Sequence, residues 1–217
     1  MTPDCYHCNQ HMKLLLRFLQ EKSKGLFAHS IYTAIVARKI AETLSLSDPH
    51  IENAYFGGLL HDIGKVFTPD SILLKDDKLT EEEYEIMKAH TLKGYDLLND
   101  TSIGEELADI ALLHHEQPDG TGYPHQVNFD NVPLTVKIVA VADKYAAMTQ
   151  QRSYRCEHSP EDAIQMMDHF IIAAFDGSSP VIRTVLQRHA DASALKSILP
   201  LMQNHDLILS PDAGILQ

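Results

Sequence analysis

Thirteen histidines in 217 residues are an unusually rich supply. Five short pieces of the chain combine them with carboxylates: His29, His61-Asp62, His90, His114-His115 and Asp143. Imidazoles and carboxylates with no thiolate among them suit a pair of hard-to-borderline divalent metals rather than a thiolate zinc site. His29 or His90 alone carries little information, because a single histidine on an amphipathic helix is usually structural or exposed. Two consecutive histidines at 114 and 115, at the end of a mostly apolar segment, are awkward to bury without partners. Asp143 directly follows the apolar run Ile138 to Ala142, where a carboxylate needs a partner and a cation is the simplest one. His61 and Asp62 can approach one metal together, the carboxylate can bridge to a second, and Lys65 one turn on can face the same site.

The segments that must position these groups read as helices. Ile31, Ala34, Ile35, Ile40 and Leu44 recur at helical spacing over Leu26 to Leu44. Ser47-Asp48-Pro49 reads as a cap and first turn for a helix through Leu60. Thr80-Glu81-Glu82-Glu83 is a capping box and predicts one helix running past His90. Ile103 to His114 reads as another. Between Glu116 and Pro133, prolines, glycines and Asp/Asn residues predict a long irregular loop, a length more often functional than idle. Leu134 to Met148 mixes β-branched residues with helical spacing and is assigned as helix. Ser159-Pro160-Glu161-Asp162 opens a further helix, and Ser179 to Met202 holds one or two more.

One compact domain is the prior for this length, with core enough to fold alone. A formal charge of -12 argues against a protein that coats a nucleic-acid polymer. It leaves room for a small anionic substrate, because bound metals reverse the local field. Three cysteines, odd in number and poorly spaced for a disulfide framework, fit a reduced cytoplasmic chain. No apolar run has the length of a membrane span and no signal peptide is visible.

The order and spacing of the five pieces, with Asp119-Gly120-Thr121-Gly122-Tyr123-Pro124 in register, resemble the HD-GYP family of HD-domain metal-dependent phosphohydrolases. The resemblance covers roughly Leu26 to Arg155. It includes Leu59 to Lys65, Pro69 to Lys75, Leu79 to Glu83, Val141-Ala142-Asp143 and Arg152 to Arg155.

The resemblance implies an all-α fold, an HD-domain helical bundle with a C-terminal helical extension of the HD-GYP type. The domain would span 26–217, with its core at about 26–155 and further helices at about 156–217, after a short segment over 1–25. It implies a bacterial signalling hydrolase that converts cyclic di-GMP to pGpG or GMP. His29, His61, Asp62 and Asp143 would serve one metal, with Asp62 bridging to a second held by His90, His114 and His115. Iron or manganese is the expected pair, and two such cations about 3.5–4 Å apart can aim a bridging hydroxide in line at phosphorus. Asp62 and Lys65 would be catalytic. Lys65, Gly122, Tyr123, Pro124 and Arg152 would bind substrate, Tyr123 by stacking on a guanine.

Gly122-Tyr123-Pro124 favours a cyclic dinucleotide without separating cyclic di-GMP from cyclic GMP-AMP, and a nucleotide receptor is the alternative from another class. The chain departs from the family pattern at Ala146, where an aspartate is usual, at Ser153, where a proline is usual, and at Gly177-Ser178-Ser179-Pro180. Gly25, one turn before His29, offers no side chain for a third metal, so two are expected. Cys5, His7, Cys8 and His11 are dense in ligand types but lack the histidine that c-type haem attachment requires. With about 25 residues ahead of the matched region, regulation is expected from a homodimer, a partner in trans or that short segment.

Overall fold

The computed structural model describes residues 6–101, 103–150 and 158–188, with side chains from residue 10 onward. The described residues form helices joined by turns and loops, with no strand among them. Helix α1 (Tyr6–Lys22) leads directly into α2 (Lys24–Thr43). There Ser23 caps the new helix, its hydroxyl accepting from Leu26 N at 3.3 Å. Helix α3 (Asp48–Leu60) carries Pro49 in its first turn as the sequence predicts. The Ser47 hydroxyl, however, meets His50 Nδ1 at 2.7 Å rather than the helix backbone.

A tight 3-10 turn over Ile63–Phe67 follows, then the one-turn α4 (Asp70–Leu73). The capping box at Thr80 is present: Glu83 N donates to the Thr80 hydroxyl and Thr80 N to the Glu83 carboxylate. The helix it opens does not run past His90. It divides at Ala89 into α5 (Glu81–Lys88) and α6 (His90–Asn99). Helix α7 (Glu105–Leu113) starts two residues later than its apolar pattern, because Gly104 enters it at φ 125.

Helix α8 (Leu134–Thr149) resolves the mixed signal in favour of helix. Its β-branched residues Val136, Ile138, Val139 and Val141 are all buried, so the strand propensity of this run records burial rather than extended backbone. Beyond Ser159, which caps Asp162 N, come α9 (Pro160–Met166), α10 (Asp168–Phe175) and α11 (Ser179–Arg188). The sequence reading did not single out α10.

Helix α2 is the central element, packed most extensively against α3 and α8. Phe27, Ile31, Ala34, Val36, Ala37 and Ile40 along it are fully buried. Helices α6 and α7 pack on each other, and α6 rests on the 3-10 turn. Met12, Leu15, Leu16 and Leu19 of α1 enter the same core. Helices α9 to α11 cover α8 and α2, tied there by the Tyr145 hydroxyl, which donates to Leu186 O at 2.8 Å. No described helix is long and apolar enough to cross a membrane.

Candidate metal centre

Each of the five pieces reaches the site from a different element. His29 comes from the second turn of α2. His61 and Asp62 occupy the turn between α3 and the 3-10 segment, not a continuing helix. His90 opens α6, His114 and His115 follow the end of α7, and Asp143 lies on α8. The fold gathers them into two groups, in each of which the donor atoms lie within 4.8 Å of one another. Asp62, His90, His114 and His115 form one; His29, His61 and Asp143 form the other.

Asp62 joins the two. Its Oδ1 lies 3.3 Å from His90 Nε2 and 3.8 Å from His114 Nε2, while its Oδ2 lies 3.3 Å from His61 Nε2. Lys65 Nζ donates to the same Oδ2 at 2.6 Å.

The backbone decides which ring nitrogen is offered. Carbonyl oxygens can only accept, so a ring nitrogen facing one must carry the proton. His61 Nδ1 donates to Gly58 O at 2.8 Å and His90 Nδ1 to Met87 O at 2.7 Å. His114 Nδ1 faces Ile110 O and Ala111 O at 3.1 and 3.0 Å. In His29 the same role falls to the Gln150 amide oxygen, 2.9 Å from Nδ1. In each of these rings Nε2 is therefore the nitrogen turned toward the site, the orientation that supporting hydrogen bonds impose on metal-binding histidines; His29 Nε2 meets Asp143 Oδ1 at 2.8 Å. Gln150 was not foreseen in the sequence; a lone glutamine 121 positions from its partner leaves no local signal.

Charge in the pocket is finely divided. Burial would raise the Asp62 carboxyl, but Lys65 and His61 together hold it well below the usual carboxylate range. Burial likewise opposes ionisation of Asp143, and His29 and His61 overcome it. Burial pulls the His90 imidazole down to about 3, with Lys65 adding to the effect, and pulls His115 down to about 4. His114 is pushed down too, by burial and then by His115. His61 goes the other way: burial lowers it, but Asp62 and Asp143 lift it to about 10. Anionic carboxylates beside neutral His90, His114 and His115 are the protonation states that metal ligation needs, whereas His61 must release its proton to a cation that takes its place.

A divalent cation fits these residues. His61 Nε2 and Asp62 Oδ1 are buried without a hydrogen-bond partner, a costly arrangement for polar atoms in an apolar core. His90 Nε2 and His114 Nε2 face each other at 3.4 Å, and with both Nδ1 protons committed to carbonyls this brings two lone pairs together. Cations would satisfy all four atoms.

The loop after α7 closes one side. Tyr123 stacks on His115, ring centroids 4.7 Å apart and 30° between planes, and its backbone N donates to His115 O at 3.3 Å. Gly122 lies so close under this strand of loop that a Cβ would meet Gln117 N and His115 O at 2.5 Å. The buried carboxylate of Glu116 accepts from His125 N at 2.7 Å and Val127 N at 3.0 Å, pinning the far side of the loop. In the sequence Glu116 marks only the start of the loop; its buried position and its two backbone partners come from the tertiary structure. Pro124 follows Tyr123 and is half-buried. Arg152 and Ser153 lie outside the described residues, as do Cys5 and the side chains of His7 and Cys8. Ala146 is fully buried on α8.

An HD-domain family model matches residues 13–178. The chain belongs to the HD-domain family. Its resemblance to the HD-GYP branch agrees with its curated relatives. A cyclic di-GMP phosphodiesterase of Thermotoga maritima is 39% identical over 142 residues, covering 64% of this chain and 39% of that protein. A 3'3'-cGAMP-specific phosphodiesterase of Vibrio cholerae is 30% identical over 189 residues, covering 86% of this chain and 36% of the relative. The chain thus spans less than two fifths of the length of these relatives. The HD domain of Listeria monocytogenes PgpH, solved with cyclic-di-AMP, superposes with a TM-score of 0.63 at 21% identity, over 86% of this chain and 97% of that one; it shares the fold.

Proposed function

We propose that this chain is a metal-dependent phosphodiesterase that opens cyclic di-GMP to pGpG, with GMP as the further product. The observation that carries the reading is the pair of donor groups joined through Asp62, with Lys65 and the Gly122-Tyr123-Pro124 loop beside it. His29, His61, Asp62 and Asp143 would hold one cation and Asp62, His90, His114 and His115 the other; imidazole-carboxylate ligation suits iron or manganese. Such a pair supplies Lewis acidity and an activated water nucleophile to a phosphodiester.

The protein's own groups have separable tasks. Asp62 and Asp143 bring the negative charge that holds cations in a buried pocket. The Nδ1 hydrogen bonds fix the direction in which Nε2 points in His29, His61, His90 and His114. Lys65, whose ammonium already reaches into the pocket, would contact a phosphate oxygen and offset charge that develops there. Tyr123 would present its ring to a guanine, and Arg152 would serve the substrate phosphate. Names of the relatives support both cyclic di-GMP and 3'3'-cGAMP as substrates, so the second nucleotide is the alternative reading.

The test is incubation of manganese- or iron-loaded protein with cyclic di-GMP, 3'3'-cGAMP and mononucleotides, with products separated by chromatography. pGpG or GMP from cyclic di-GMP is the expected result. Faster turnover of 3'3'-cGAMP would reassign the substrate, and binding without turnover would make the chain a receptor.

A further inference from the structure

We propose that Tyr84 and Lys88 of α5 form the outer wall of the substrate site, Tyr84 packing against a nucleobase and Lys88 against the phosphate remote from the metal ligands. The inference rests on the cyclic-dinucleotide reading above and adds to it a binding surface for the second half of the ligand. Tyr84 lies 6.4 Å from Tyr123, ring to ring, at 80°. Lys88 Nζ stands over both rings, 5.3 Å from the Tyr84 centroid and 5.8 Å from that of Tyr123. Tyr123 in turn stacks on His115 and lies 6.4 Å from His90. An unbroken line of aromatic rings, with one ammonium above it, therefore leads from the donor cluster to the surface, where Tyr84 is 48% exposed.

The shape of the ligand class makes this wall useful. A cyclic dinucleotide has two phosphates and two bases, and the donor groups with Lys65 account for one phosphate. The second phosphate must lie on an acidic protein. Helix α5 itself begins Glu81-Glu82-Glu83 and carries Glu85, so an unaided phosphate there would be repelled. Lys88 supplies the opposing charge. Its present partner is Glu85, at 2.6 Å with the Glu85 side chain 69% exposed, and solvent-exposed pairs of this kind are worth little and exchange readily. An exposed aromatic ring needs no explanation by itself; a ring set edge-on to a second, with a cation over both, matches the stacking-plus-cation arrangement that holds single nucleotides.

The test compares metal-loaded wild type with Y84A, Y84F, K88M and K88R. A fluorescent cyclic di-GMP analogue reports equilibrium binding, and unlabelled cyclic di-GMP gives kcat and KM. Y84A and K88M are expected to weaken binding and raise KM about tenfold, the scale of losing one base stack, while Y84F and K88R restore most of the loss. Metal content and far-ultraviolet circular dichroism of each variant check that the fold and the donor cluster persist. Unchanged Kd and KM in Y84A and K88M would overturn the inference. A loss confined to kcat, or accompanied by lost metal, would also overturn it, because it would make the two residues supports of the cluster. Wild type that binds no cyclic dinucleotide at all would refute the proposed function, and with it this surface.

Discussion

Asp62 is the residue on which both donor groups depend. Its two oxygens face histidines from three different elements, and Lys65 holds one of them. Replacing it with alanine removes a buried charge and leaves the Lys65 ammonium and the His61, His90 and His114 rings without the carboxylate they share. Asp62→Ala is expected to lose bound metal and phosphodiesterase turnover while remaining helical. Elemental analysis of protein purified without chelators checks this, with two metals per chain expected in the wild type. Gly25, exposed at the start of α2 with only Ser23 Oγ near its missing Cβ, brings no donor toward His29, so a third full-occupancy metal there would contradict the residue assignments. Lys65→Ala should behave differently. It removes a cation, not a donor, so metal content should persist while kcat falls about 100- to 1000-fold, the usual cost of one lost electrostatic contact in a transition state.

At the scale of elements, the site depends on how closely α6 approaches the turn after α3. Gly64 lies in the 3-10 turn, and a Cβ there would overlap the carbonyl oxygen of His90 and come 2.6 Å from Gly94 N. Both obstacles are backbone, so neither can swing aside. Gly64→Ala must push α6 away, carrying His90 from Asp62. We expect a destabilisation of about 1–3 kcal/mol from overpacking, read as a fall of several degrees in Tm, together with weaker metal binding. A variant with unchanged Tm and metal content would show that α6 is not fixed by this contact.

For the whole molecule, the buried imidazoles tie stability to pH. Unfolded histidines titrate near about 6.5, whereas His90 and His115 are held down to about 3 and about 4 in the fold. Below about pH 6.5 the unfolded chain therefore binds protons that the folded chain refuses, and stability falls as pH drops through this window. His61, lifted to about 10, acts in the opposite sense: its contribution is complete below about 6.5 and is lost as pH rises toward 10. Metal-stripped protein should accordingly show its highest Tm near neutral pH, with losses on both sides, in thermal melts taken from pH 4 to 9. A Tm independent of pH between 4.5 and 7 would contradict the burial of the histidine cluster.

Much of this was legible in the chain itself. Helical periodicity, the capping box at Thr80 and the proline at position 49 report local energetics, and helices begin where they predict, although the one opened at Thr80 ends at Lys88 and residues 189–202 of the last predicted stretch lie outside the described residues. Among the donor residues, His114-His115 and Asp143 were legible because polar groups on apolar segments need a partner, whereas His29 and His90 entered only through the order and spacing of the five pieces. What the chain order could not determine is proximity across sequence. The division of one predicted helix at Ala89, the Gln150 amide behind His29, the Glu116 carboxylate under the loop and the approach of Tyr84 to Tyr123 all come from contacts between separate elements. Such contacts leave no period or local spacing to read, and only the packing of α2, α3, α6, α7 and α8 into one core decides them.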